Sequence, residues 1–277
     1  MQGKLYICAT PIGNLGDITI RVLDTLKSVD MIAAEDTRHT LKLLNHFEIK
    51  KPLISYYEHN KMYKGAKIIE MLKSGKNVAL VSDAGTPVIS DPGEMLVKEC
   101  IENNIEIESL PGACAAVTAI TLCGLDSKRF IFHGFLPHKK QEKLKELEKV
   151  ADFTYTLIFY EAPHKLKDTL NCMLEALGDR DIAVLRELTK KYEQVLRLKV
   201  SEAINYFNEN EPVGEFVIAV SGAEEKEEEK FTHLSVKEHV DMYIEKGMDK
   251  KEAIKQCALD RNVPKRDIYN EYEKALA

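Results

Sequence analysis

Apolar positions in the first 125 residues follow two periods in turn. Short continuous runs at 5–9, 30–34, 52–56, 78–81 and 105–110 have the pattern of strands buried on both faces. Between them, helical spacing recurs. Ile20, Leu23, Leu26 and Val29 form one stripe, and Leu41, Leu44 and Phe47 another. Asp36 or Thr37 is placed to cap that second helix, and Gly75 to end a third over 60–74. A helix runs from Glu94 to about Asn103, and small residues over 113–122 suit a helix that packs closely. Five strand–helix repeats predict a mainly parallel sheet covered on both faces.

From Arg129 the pattern changes. Runs at 130–135, 155–160, 182–188 and 216–220 read as strands, and helices fall at 139–150, 166–177 and 201–208. Residues 192–199 alternate apolar and polar, as a half-exposed antiparallel strand does. A mixed sheet is expected. Beyond it, 234–275 gives three short helical patterns broken at Gly247 and Pro264, a helix-turn-helix-like arrangement. The expected organisation is an α/β domain at 1–125, a second at 126–222, a linker at 223–230 and a helical domain at 231–277.

Composition narrows the class. A chain of 277 residues suits two domains with a small appendage. No apolar run approaches the roughly 20 residues of a membrane span. The N-terminus enters a strand-like run directly, without a signal-peptide pattern. Six scattered cysteines lack metal-ligand spacing and read as reduced thiols of a cytoplasmic protein. The net charge of -6 argues against coating nucleic acid by bulk positive charge. Five acidic residues stand against two basic ones within 223–230, the composition of a solvated linker. The helical segment carries nine of each sign, so it suits RNA contact or a packing role equally. Local basic groups do exist. Lys139, Lys140, Lys143 and Lys145 share one helix with Glu142, Glu146 and Glu148, and read as a phosphate-contacting face or a solvated one. Lys190-Lys191 follows Arg186.

The chemistry gathers where strands end. Thr10–Asp17, Glu35–Arg38, Ser82–Gly93 and Pro111–Ala113 are polar, Gly- and Pro-containing loops on one edge of the predicted sheet. That edge is where open α/β sheets bind ligands. No Gly-x-Gly-x-x-Gly follows the first strand and no Walker A motif occurs. Ser82 and Ser90 lack a nucleophile-elbow context. His59, His133, His138 and His164 are not spaced as metal ligands, and no metal is expected. Composition and spacing lead to a small-molecule cleft and leave the reaction unnamed.

The loop residues themselves are more specific. Thr10-Pro11-Ile12-Gly13-Asn14-Leu15-Gly16-Asp17, Glu35-Asp36-Thr37-Arg38, Ser82-Asp83-Ala84-Gly85-Thr86-Pro87, Ile89-Ser90-Asp91-Pro92-Gly93, Pro111-Gly112-Ala113 and Phe159-Tyr160-Glu161-Ala162-Pro163-His164 occur in this order. Together they resemble the ribosomal RNA small subunit methyltransferase I family. Its members are 16S rRNA (cytidine-2′-O)-methyltransferases of the tetrapyrrole methylase superfamily. The resemblance implies that fold, S-adenosylmethionine as methyl donor bound between the two domains, a homodimer, and the small ribosomal subunit as partner. It also implies that Pro11, Asp83, Ala84, Gly85, Thr86, Ile89, Pro111, Gly112, Cys114, Ala115 and Tyr160 lie at the donor. Asp83 and Asp91 are expected mainly to shape their loop.

A ribose hydroxyl is a poor nucleophile, so a positioned base or acceptor should assist it. Asp36 and Glu161, each just after a strand, are the candidate carboxylates, with Arg38 beside the first. Asn14, His164, Lys165, Arg186 and Glu187 are the candidate acceptor-side contacts. Two other readings compete. A tetrapyrrole-precursor C-methyltransferase would need a hollow for a polyacid macrocycle, which these acidic loops suit poorly. The other is a non-catalytic RNA-binding factor.

Overall fold

The structure, a computed structural model, describes residues 2–224, Phe231 and residues 234–276. Most of the acidic linker expected at 223–230 lies outside the described residues. The chain divides into two compact units, Met1–Gly222 and Ala223–Ala277.

The first unit holds two five-stranded sheets. β1 (Leu5–Cys8), β2 (Met31–Ala34), β3 (Leu53–Ser55), β4 (Val78–Val81) and β5 (Ile107–Leu110) are all parallel, in the order β3-β2-β4-β1-β5. Alternate side chains leave opposite faces, and both faces are buried. Leu5, Ile7, Ala33, Val78 and Leu80 pack with α3 (Lys61–Lys73) and α4 (Gly93–Glu102). Cys8, Ile32, Ala34, Ala79 and Val81 pack with α1 (Ile20–Ser28) and α2 (Thr37–His46). Two-sided burial is why these strands read as unbroken apolar runs. Asp36 caps α2, as its position before the apolar stripe predicts.

The second sheet runs β6-β7-β10-β8-β9, from β6 (Phe130–Phe135), β7 (Thr156–Glu161), β8 (Asp181–Arg186), β9 (Gln194–Lys199) and β10 (Phe216–Val220). β6 and β7 are parallel, and the other pairs are antiparallel. One face carries α6 (Lys140–Glu148), α7 (Pro163–Leu177) and α8 (Val200–Glu209). The other carries α5 (Ala115–Cys123), whose Ala116, Ala119, Ile120 and Cys123 sit on Ile158, Ala183, Val217 and Ala219. Small residues on both partners let this helix lie close. The last helix of the first stretch of sequence thus covers the second sheet.

The helical unit contains α9 (Val236–Glu245), α10 (Lys250–Asp260) and α11 (Lys265–Leu276) around Val240, Ile254, Cys257, Ile268 and Tyr272. His239 is buried at its centre. Its Nδ1 accepts from Arg261 at 3.0 Å, and its Nε2 faces Asp260 at 3.2 Å. Burial, with Arg261 beside it, lowers the histidine pKa, so the ring is a neutral core strut. All six cysteines are free thiols. Among the described residues, no helix is long and apolar enough to cross a membrane.

Candidate active site

Two neighbouring strands aim their loops at one place. Thr10, after β1, pairs with Gly85, after β4: each N–H donates to the other's carbonyl, at 2.8 and 3.1 Å. The Ser82 hydroxyl donates to the Gly85 carbonyl at 3.1 Å. The Thr86 hydroxyl donates to the Ala113 carbonyl at 3.0 Å and ties in the loop after β5.

Within 82–93 the backbone is strained. Val88 and Ser90 have φ of 78° and 62°, in the left-handed region that L-residues avoid, a β-branched one most of all. Asp91 holds them there, its carboxylate accepting from the N–H groups of Val88 at 2.8 Å and Gly93 at 2.7 Å. Asp83 accepts from the Asp36 N–H at 2.9 Å, fixing the 35–38 turn beside the loop.

A cavity of about 600 Å³ opens between this loop and the second sheet. Ser82, Asp83, Ala84, Gly85, Thr86 and Ile89 form one wall; Cys114, Ala115, Tyr160, Glu161 and Val217 form part of another. Five carboxylates line it, from Glu35, Asp83, Asp91, Glu161 and Glu215, and among the described residues no lysine or arginine does. Burial, then the neighbouring Asp83 and Asp91, raises the Glu35 pKa above the usual carboxylate range. Burial also raises that of Asp91. The Tyr160 hydroxyl accepts from the Ala116 N–H at 3.0 Å, satisfying an orphan donor at the start of α5. Burial, then the adjacent Cys114, pushes the phenol up to about 12.

Glu161 is buried, and both its oxygens are engaged. One accepts from the Ala162 N–H at 2.8 Å, the other from the Thr169 hydroxyl at 2.5 Å. Thr169 in turn accepts from Lys143 Nζ at 2.8 Å. Lys143 is only 1% exposed, so it does not belong to a solvated or phosphate-contacting face. Lys139 and Lys140 pair with Glu142 and Glu175. The charge pattern of 139–150 hides this burial because the partners of Lys143 lie on α7.

A second cavity, of about 550 Å³, adjoins the first and shares Ile12, Ser82, Asp83, Ala84 and Glu215 with it. Its other walls include Pro11, Gly13, Leu15, His39, Lys42 and Lys190. Gly13 has no room for a side chain: a Cβ there would lie 2.4 Å from Lys190 Cγ and 3.1 Å from the Leu188 carbonyl oxygen.

Several expected site residues fall elsewhere. Asp36 and Arg38 bind each other through two side-chain hydrogen bonds, of 2.8 and 3.1 Å, and line neither cavity. The Arg38 side chain, then its backbone N–H, lowers the Asp36 pKa to about 2. Pro111 and Gly112 line neither cavity. Gly112 is a packing glycine, since a Cβ would stand 2.7 Å from that of Ala9. Pro11 lies in the second cavity. Asn14 caps a short 3-10 turn by accepting from the Gly16 N–H at 3.0 Å. His164 lines the first cavity from the first turn of α7, whereas Lys165 turns to His138 at 3.0 Å. Arg186 and Glu187 line neither cavity. Glu187 accepts from the Glu215 N–H at 2.9 Å and from Lys190 at 3.0 Å. Burial opposes its ionisation, but those two donors outweigh it and lower its pKa.

Glu35, Phe135, Glu215, His39 and Lys42 line the cavities without having been singled out from sequence. His39 and Lys42, three apart at the start of the helix after β2, carry the one local signal that points to them. Among the described residues, no cluster of three or more His, Cys, Asp or Glu could hold a metal ion.

Residues 4–204 match the family described as Tetrapyrrole (Corrin/Porphyrin) Methylases. "Ribosomal RNA small subunit methyltransferase I" of Bacillus subtilis (strain 168) is 56% identical, over 98% of this chain and 94% of that protein. The chain belongs to the ribosomal RNA small subunit methyltransferase I family. The Halalkalibacterium halodurans member is 52% identical, over 99% of this chain and 96% of its own length. A crystal structure of diphthine synthase superposes with a TM-score of 0.62 at 14% identity, over 79% of this chain and 90% of that one. That likeness shows a shared fold.

Proposed function

We propose that this chain methylates the ribose 2′-hydroxyl of a cytidine in 16S rRNA of the small ribosomal subunit, with S-adenosylmethionine as donor. The observation that carries the reading is the first cavity, walled by five carboxylates with no lysine or arginine. Such a wall favours a cation and repels a polyacid macrocycle or a nucleotide phosphate. Its volume falls within the roughly 300–1,000 Å³ of small-molecule sites. The small residues Ala84, Gly85 and Ala115 leave backbone groups accessible for recognition. The full-length identity to proteins named for ribosomal RNA supports the acceptor class. A homodimer, which the resemblance implies, and a cytoplasmic site of action, which the scattered cysteines suggest, belong to the same reading.

When bound, S-adenosylmethionine supplies an electrophilic methyl on a cationic sulfonium. Asp83, Ala84, Gly85, Thr86, Ile89, Cys114, Ala115 and Tyr160 would hold it, all of them lining the first cavity. Glu161, pinned by Ala162 and Thr169, contributes a fixed negative charge to that cavity. Each of its oxygens keeps a further lone pair for a hydrogen bond. Asp83 stands in the wall shared by the two cavities, where it can accept a hydrogen bond from an incoming hydroxyl. Asp36 and Arg38 act at one remove, by fixing the 35–38 turn against Asp83. Alignment of the two reactants supplies much of the rate in such a site.

The test is transfer of labelled methyl from S-adenosylmethionine to unmethylated 30S subunits, with the modified nucleotide mapped. Label at the 2′-oxygen of a 16S cytidine is expected. Label on a tetrapyrrole precursor alone, or RNA binding without transfer, would overturn the reading.

A further inference from the structure

The second cavity contrasts with the first in charge, although the two share Asp83 and Glu215. Lys42, exposed on α2, makes no ion pair with a described residue. Lys190 is held at the wall by Glu187 at 3.0 Å and Glu215 at 2.8 Å, so one of its three donors remains to be used. Pro11 and Leu15 add apolar surface, and Gly13 keeps the backbone bare between them.

We propose that this second cavity receives the acceptor nucleotide of an RNA strand. Lys42 and the remaining Lys190 donor bind phosphate oxygens, and Pro11, Gly13 and Leu15 face the base and sugar. A nucleotide drawn out of its stack is the form in which enzymes reach a single residue of RNA, and a cavity of about 550 Å³ suits one. The proposal rests on the donor occupying the first cavity. Asp83, in the common wall, then marks where the two ligands meet.

Lys42→Glu and Lys42→Arg test it in the full-length protein. Binding of a 16S rRNA transcript is measured against salt, and binding of S-adenosylmethionine by calorimetry. Lys42→Glu should weaken RNA binding roughly tenfold and flatten the slope of log K against log salt by about 1. It should leave the donor dissociation constant within about twofold, and Lys42→Arg should stay close to the unmodified protein in both. An unchanged slope and affinity in Lys42→Glu overturns the proposal. So does a donor-binding loss as large as the RNA loss, or absence of RNA binding by the unmodified protein. Failure of the parent reading appears elsewhere, as absence of methyl transfer to 30S subunits, and the binding comparison stands apart from that result.

Discussion

The cavity of about 600 Å³ carries five carboxylates and no lysine or arginine, while its neighbour of about 550 Å³ carries His39, Lys42 and Lys190. The two share Ile12, Ser82, Asp83, Ala84 and Glu215, so an acidic cavity and one where lysines balance carboxylates meet across one wall. They are also built differently. The first is shaped by a loop whose backbone is locked from within: Asp91 bonds Val88 and Gly93, and the Ser82 hydroxyl donates to the Gly85 carbonyl. The second is shaped by contact between loops distant in sequence, where Gly13 lies against Leu188, Thr189 and Lys190. A rigid, electron-rich pocket suits a small cation bound the same way at every turnover. A pocket between two loops suits one residue of a long polyanion.

The largest expected effect comes from unlocking the first. Asp91→Ala removes the acceptor of two partly buried N–H groups. An unsatisfied buried group costs about 1–3 kcal/mol, so the loss is on the order of 2–6 kcal/mol. Left-handed Val88 then has nothing to hold it, and the loop relaxes. Thermal unfolding should fall and donor affinity should drop by roughly tenfold or more, with the salt slope of RNA binding preserved. If the RNA slope changed while donor affinity held, the division between the cavities would be wrong.

Next is Gly13→Ala. The added Cβ meets Lys190 Cγ at 2.4 Å, Thr189 Oγ1 at 2.9 Å and the Leu188 carbonyl oxygen at 3.1 Å. Overpacking of this kind costs about 1–3 kcal/mol and displaces the 188–190 segment. The KM for 30S subunits should rise while calorimetry finds donor binding close to that of the unmodified protein. Loss of donor binding on a similar scale would mean that the shared wall, rather than the second cavity, had moved.

Much of this arrangement is legible in the chain, and the remainder fails for physical reasons. The parallel sheet is readable because burial on both faces leaves strands such as Val78–Val81 with no polar interruption. The half-exposed Gln194–Lys199 strand is readable from its alternation. The 82–93 loop announces itself through glycine and proline. Its strain does not, because a valine at φ 78° is imposed by Asp91 and leaves no mark in composition. Lys143 looks solvated among Glu142, Glu146 and Glu148, and its burial is decided by Thr169 and Asp168 on another helix. Asp36 reads as catalytic because it follows a strand. Its Arg38 partner two residues on, and its capping role, are the local signs that its carboxylate is engaged. Glu35, its neighbour, is the residue that faces the first cavity.

The smallest expected effect belongs to Glu35 and is the sharpest probe of charge in that cavity. Burial, and then Asp83 and Asp91, favour its protonated form in the folded protein. An acid whose folded pKa lies above its unfolded value, about 4.3, contributes stability that is full below that value. That contribution is lost as pH rises through the folded pKa. A bound cation acts in the opposite direction: it favours the ionised carboxylate, so donor binding releases protons, and affinity climbs as pH rises through the Glu35 transition. S-adenosylhomocysteine has the same adenosine and amino-acid ends without the sulfonium charge. The ratio of the two affinities, taken by calorimetry at a series of pH values, therefore isolates the charge. It should increase roughly three- to fivefold across the transition, as expected for unit charges several ångströms apart in a partly solvated site. In Glu35→Gln that increase should shrink, leaving the weaker contribution of Asp91. A ratio that stays flat with pH in the unmodified protein would separate Glu35 from the donor's charged centre and assign cation selection to the other carboxylates of the wall.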